Sequence, residues 1–151
     1  IGQKLVVKVL RDRPQSLHQD EYPYFRNRIK HCRVREVLLC ANETPLVIAR
    51  SIIPTLSSSG SNHSILRLGT RPLGAVLFSK TRMHSKARPQ RDIARLDRSS
   101  LLWRGFHKTG ITLPSSLWAR RTLYQLKGHP ILVNEVFLPA LLERSTSSPA
   151  K

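Results

Sequence analysis

Two charged side chains stand where a strand pattern calls for apolar ones. In residues 131–138, strand parity puts Ile131, Val133, Glu135 and Phe137 on one side and Leu132, Asn134, Val136 and Leu138 on the other. Glu135 therefore shares a face with three large apolar residues. An ionised carboxylate there is costly unless a cation pairs with it, or unless its pKa rises until it is neutral. Either state suits general acid–base work or hydrogen bonding to a ligand. Arg35 makes a similar case, alternating along residues 32–41 with Arg33, Val37, Leu39 and Ala41. A half-buried guanidinium on a rigid strand presents a planar fork of donors that matches a carboxylate. Structural roles compete with these. Glu135 could pair with an internal arginine, and Arg35 with a nearby acid, Glu135 included, or it could snorkel to water. Facing one cavity, the acid and the base would hold a carboxylate-bearing guest; facing each other, they would only neutralise.

The elements that must position them read as hairpins. Residues 3–10 are short and β-branched, a strand, and the polar stretch 11–31 with Pro14 and Pro23 reads as a loop. Residues 32–41 and 46–53 form two strands around the turn chemistry of Asn42-Glu43-Thr44-Pro45, with Pro54 as the stop. Residues 55–64 are a low-complexity loop, and 65–68 a helical turn closed by Gly69. Pro72 opens a short helix whose Leu73, Val76 and Leu77 make one apolar face. Residues 79–116 are basic and poor in large apolar side chains, and segment 79–108 reads as a solvated basic loop. A second hairpin pairs 120–127 with 131–138 across Gly128-His129-Pro130. The pattern predicts an α+β single domain, an antiparallel β-sheet with a few helices and loops. Its boundaries are expected at 1–144, with a basic insertion at about 79–116 and a flexible tail at 145–151.

Composition bounds the function. The chain has 151 residues, 40% of them apolar and 23% charged, as globular domains do. Nothing approaches the roughly 18–20 apolar residues of a membrane-spanning helix, and no segment reads as a signal peptide. With two cysteines, a reduced cytoplasmic protein and a monomer are expected. The net charge of +17 points toward a polyanion. Residues 79–121 supply +9 of it, however, so the basicity belongs largely to one stretch, and nucleic acid stays open as a partner on charge alone.

Other chemistries find little support. Cys32 and Cys40 lie on one strand, ~26 Å apart at strand rise, too far to bridge. The six histidines show no metal-ligand spacing, so no metal is expected. Ser57 to Ser61 lacks the nucleophile elbow, Gly69 and Gly74 are isolated, and no phosphate loop is present. Phe78, Trp103 and Phe106 near the basic stretch do not form a base-stacking platform.

Four blocks carry a family resemblance. They are Arg35-Glu36-Val37-Leu38-Leu39-Cys40 followed by Ala49-Arg50-Ser51-Ile52-Ile53-Pro54; Leu68-Gly69-Thr70-Arg71-Pro72-Leu73-Gly74 with Leu77-Phe78; Leu117-Trp118-Ala119-Arg120-Arg121; and the most specific, Gly128-His129-Pro130-Ile131-Leu132-Val133-Asn134-Glu135-Val136-Phe137-Leu138-Pro139-Ala140. In this order they resemble the chorismate–pyruvate lyases, cofactor-free enzymes that make 4-hydroxybenzoate for ubiquinone. The resemblance covers roughly residues 2–78 and 117–141. It implies chorismate as substrate, no cofactor, and loops that close over a buried ligand. It places the family's ligand arginine on Arg35, its backbone contact on Leu73 and its ligand glutamate on Glu135. Against the family pattern, Ala49 and Ala119 stand where glycine is common, and the chain opens at Ile1 without the N-terminal helical segment. Two alternatives remain: a non-catalytic effector-binding domain of the same fold, as in regulators, and a basic RNA-associated protein.

Overall fold

The computed structural model describes residues 5–55, 90–126 and 128–147. Alternation and β-branching produce six strands: β1 (Leu5–Pro14), β2 (Cys32–Ala41), β3 (Thr44–Pro54), β4 (Gln90–Asp97), β5 (Ser116–Leu126) and β6 (His129–Phe137). A 3-10 turn at Tyr22–Phe25 lies between β1 and β2, and two helices follow, α1 (Leu101–His107) and α2 (Pro139–Ser147). The strands form one sheet in the order β1-β2-β3-β6-β5-β4, every neighbouring pair antiparallel. The chain is thus an α+β single domain, as its pattern predicts. None of the described helices is long and apolar enough to cross a membrane.

The turns follow from residues that tolerate a left-handed backbone. Asn42, at φ 55°, closes the β2–β3 hairpin, and Gly128, at φ 81°, closes β5–β6. The first turn is tighter than its sequence suggests, since Thr44 and Pro45 already belong to β3. β1 also runs on to Pro14, into the stretch expected as loop.

One face of the sheet holds most of the core. Ile48, Leu117 and Val136 pack against Leu102, Trp103 and Phe106 of α1. Beside them, Val34, Ile52 and Leu132 pack against Leu17 and Phe25 from the segment between β1 and β2. Each such side chain contributes about 1.5–3 kcal/mol when fully buried. The chain turns from β4 into α1 because Asp97 organises it: its carboxylate accepts the Ser99 N–H at 2.8 Å, and its carbonyl accepts the Ser100 N–H at 3.0 Å. Trp103 then donates Nε1–H to the Pro114 carbonyl at 2.8 Å and pins the return to β5.

This corrects the reading of 79–108 as a solvated basic loop. Its described part, 90–108, contains edge strand β4 and the helix that plugs the core. β4 is almost wholly exposed and α1 has only seven residues, so neither shows a long apolar period. Helix α2 likewise continues to Ser147, into the stretch expected as tail. Its Ala140 and Leu141 pack against Ala41, Leu46, Val47 and Phe137 at one end of the opposite face. The helix expected from Pro72, and Leu73 with it, lie outside the described residues.

Candidate functional site

Cross-strand register places the sequence-predicted residues. Arg35 pairs with Ser51 on β3, Ser51 with Val133 on β6, and Val133 with Thr122 on β5. The next row runs Val37, Ala49, Glu135, Arg120. Directly paired residues share a face, as do residues two apart on one strand. Arg35, Ser51, Thr122, Arg120 and Glu135 therefore all lie on the face opposite α1. The two predicted side chains share a face, with β3 between their strands.

Neither neutralises the other. Arg35 is 3% exposed and donates Nη1–H to Asp12 Oδ2 at 3.0 Å. Arg33 makes a second bond to the same oxygen at 2.9 Å and a closer one to Oδ1. A β-bulge between Val9 and Arg11 creates this arrangement. Without the extra residue, Arg11 would oppose Arg35; with it, Asp12 opposes Arg35 and Arg11 opposes Glu36, so each cation meets an acid. Glu135 is half-buried, and its Oε1 takes both contacts from Arg120, Nε at 2.9 Å and Nη2 at 2.8 Å. Among the described residues, Oε2 of Glu135 takes no hydrogen bond. The paired form is thus the one adopted, and its partner is Arg120 rather than Arg35.

The same face holds two more hydrogen-bonding groups. Thr122 is fully buried, and among the described residues its Oγ1 has no hydrogen-bond partner. Burial, then the charge of Glu135, pushes the Tyr124 phenol up, so it remains protonated at neutral pH. Among the described residues, the guanidiniums of Arg33, Arg35, Arg91 and Arg120 on this face outnumber the carboxylates of Asp12 and Glu135. An anion carrying polar oxygens suits such a surface.

The α1 face is built differently. Glu21 is completely buried and accepts from Arg50 Nε and Nη2 at 3.0 Å each, from Asn134 Nδ2 at 3.1 Å and from the His18 N–H at 2.7 Å. Glu36 stands 3.7 Å from the third Arg50 nitrogen, and Arg121 donates to Asn134 Oδ1. Burial raises the pKa of Glu21, but the hydrogen bonds and charge of Arg50 outweigh it, and the net direction is down.

Sequence reasoning missed Asp12, Arg120 and Thr122, and the whole Glu21–Arg50 network. Arg120, Thr122 and Tyr124 alternate on β5, so parity could have found them; Asp12 depends on a bulge. A cleft of about 720 Å³ opens where β2 begins and β3 ends, lined by Gln15, Lys30, His31, Arg33 and Thr55 among others, and includes neither Arg35 nor Glu135. Cys32 and Cys40 are both free thiols, as their spacing requires.

The chain is similar to known proteins over most of its length. The sequence model of the chorismate lyase family matches residues 1–147. The protein named "Probable chorismate pyruvate-lyase" of Aromatoleum aromaticum is 40% identical over 146 residues, covering 93% of this chain and 76% of that one. Its namesake in Thiobacillus denitrificans is 42% identical over 109 residues, covering 72% and 57%. The "Chorismate pyruvate-lyase" of Hamiltonella defensa is 39% identical over 107 residues, covering 71% and 49%. The chain thus spans between about half and three-quarters of the length of these curated relatives. Among solved structures, the ligand-binding domain of a GntR-family transcriptional regulator from Bordetella bronchiseptica superposes with a TM-score of 0.62 at 16% identity, covering 92% of this chain and 85% of that one. That likeness carries the fold alone.

Proposed function

This chain belongs to the chorismate lyase family, and on that premise we propose that it removes pyruvate from chorismate, with aromatisation of the ring, to give 4-hydroxybenzoate. We place the reaction in the cytoplasm, on the path to ubiquinone, in a monomer that needs no cofactor. The observation that carries the reading is the pair Arg35 and Glu135 on one sheet face, each held by its own counter-ion and neither by the other.

The chemistry asks little of the protein. The ether C–O bond breaks, the neighbouring ring carbon that bears the hydroxyl loses its proton, and the enolpyruvyl group leaves as pyruvate once its methylene carbon is protonated. Aromatisation supplies the driving force, so the protein must hold a dianion, orient it and keep water out. Arg35, set by Asp12, holds the ring carboxylate through its guanidinium fork. Glu135 accepts a hydrogen bond at Oε2 from the hydroxyl that becomes the phenol, while Arg120 occupies Oε1. Leu73 contributes a main-chain contact, as in the family. The excess of guanidiniums draws in the dianion.

The test is turnover. Purified protein is expected to convert chorismate to 4-hydroxybenzoate without added cofactor, and Arg35→Ala and Glu135→Ala each to abolish it. Full turnover in both variants would overturn the assignment.

A further inference from the structure

Thr122 is the odd residue on this face. A buried hydroxyl ordinarily finds a partner, and one left without is costly. Its strand neighbours do not leave it out by accident of register: it sits squarely in the row that begins with Arg35, paired with Val133, and diagonally beside Glu135. Diagonal neighbours on a sheet lie about 7–8 Å apart at Cα, within reach of one small ligand. From β2 to β5 the row spans three strand spacings, about 14 Å. The long side chain of Arg35 covers part of that gap, and a para-substituted ring lying across Ser51 and Val133 covers the rest. A ring whose carboxylate rests on Arg35 then delivers its opposite oxygen to the β5–β6 side of the face. Two groups wait there with unused capacity, Oε2 of Glu135 and Oγ1 of Thr122.

We propose that Thr122 Oγ1 is a substrate-contacting, specificity-determining group that hydrogen-bonds the ring oxygen para to the carboxylate, alongside Glu135. The division of labour is chemical. The Glu135 carboxylate can only accept, so it accepts the hydrogen bond of that hydroxyl; Thr122 can donate, so its own O–H donates to a lone pair of the same oxygen. A ligand lacking the oxygen leaves the buried Thr122 hydroxyl unpartnered and Oε2 of the half-buried Glu135 unused, which is how such a site rejects it. The inference rests on the reading of this face as a 4-hydroxybenzoate-producing site.

Calorimetric titration with 4-hydroxybenzoate and with benzoate, which lacks the para oxygen, tests it on wild type, Thr122→Val and Thr122→Ser. Wild type is expected to favour 4-hydroxybenzoate. Thr122→Val should weaken 4-hydroxybenzoate about five- to tenfold and leave benzoate unchanged, and Thr122→Ser should restore most of the difference. Thr122→Val should also resist urea at least as well as wild type, since it removes an unpartnered hydroxyl. Equal weakening of both ligands, or of neither, overturns the proposal while leaving the site in place. A wild type that binds neither ligand removes the site reading and the proposal together.

Discussion

On the α1 face the buried charges close on one another: Arg50 is gripped by both oxygens of Glu21, Asn134 fills a remaining lone pair, and the His18 main chain fills another. On the opposite face Arg35 and Arg33 both bind Asp12, Arg120 spends both contacts on one oxygen of Glu135, and among the described residues the Thr122 hydroxyl has no partner. A sheet with both faces equally saturated would be a scaffold. Here the two faces differ in how their acids are used: Glu21 is engaged on both oxygens, whereas among the described residues Glu135 is engaged on one. Burial of a charge therefore says little about function until its hydrogen bonds are counted.

The comparison is tested most severely by removing one arginine from each face. Arg50→Met strands Glu21 in the core without its cation, and a broken buried pair costs about 3–5 kcal/mol. Replacing Glu21 as well, with leucine, should recover only part of this, because Asn134 and the His18 N–H then lose their acceptor. Arg35→Met leaves Asp12 with Arg33 rather than stranding it, so its cost to folding is expected to be smaller than that of Arg50→Met. Urea unfolding measures both. Equal losses would mean that Arg35 is as structural as Arg50 and would erase the distinction.

A gentler probe is Arg120→Met. Arg120 is 37% exposed, and ion pairs at that exposure contribute about 0–1 kcal/mol, so stability should barely move. Turnover should fall sharply, because Glu135 loses the group that fixes its orientation. A variant that unfolds readily yet turns over normally when folded would assign Arg120 to the scaffold.

What could be seen beforehand follows the same line. The strands at 32–41, 46–53 and 131–138 announce themselves because apolar residues fill both faces, and a lone acid or base there is conspicuous; hence Arg35 and Glu135. Their partners are silent for physical reasons. Asp12 reaches Arg35 only through a bulge that shifts the register by one residue. Glu21 sits in irregular backbone and meets Arg50 29 residues away. Among the described residues strand β4 pairs only with β5, at the sheet edge, and exposes most of its side chains, so Arg91 and Arg95 look like loop, and α1 buries Leu102, Trp103 and Phe106 amid basic neighbours. The single domain and its hairpins were legible; the strand and helix within 90–108 were not, because the strand is held by backbone pairing rather than by an apolar stripe and the helix is short.

The smallest expected effect concerns acid. Burial, then the charge of Arg50, pushes His18 below its ordinary 6.5, and the opposing pull of Glu21 3.8 Å away does not make up the difference. Above about pH 6.5 the imidazole is neutral whether the chain is folded or not, and it adds no pH dependence. Below that value the unfolded chain takes up the proton first, so folding stability declines as pH falls toward the folded pKa. Glu21 acts lower down: its carboxylate stabilises the fold above its ordinary 4.5, and that contribution is lost as pH falls further, through its depressed value. Wild type should therefore lose stability in two stages on acidification. His18→Gln should abolish the upper stage and keep the lower, read as the slope of unfolding free energy against pH between 6.5 and 4.5. Since every group involved lies on the α1 face, ligand affinity for the opposite face should not follow that slope; an affinity that tracks it would couple the two faces and dissolve the contrast between them.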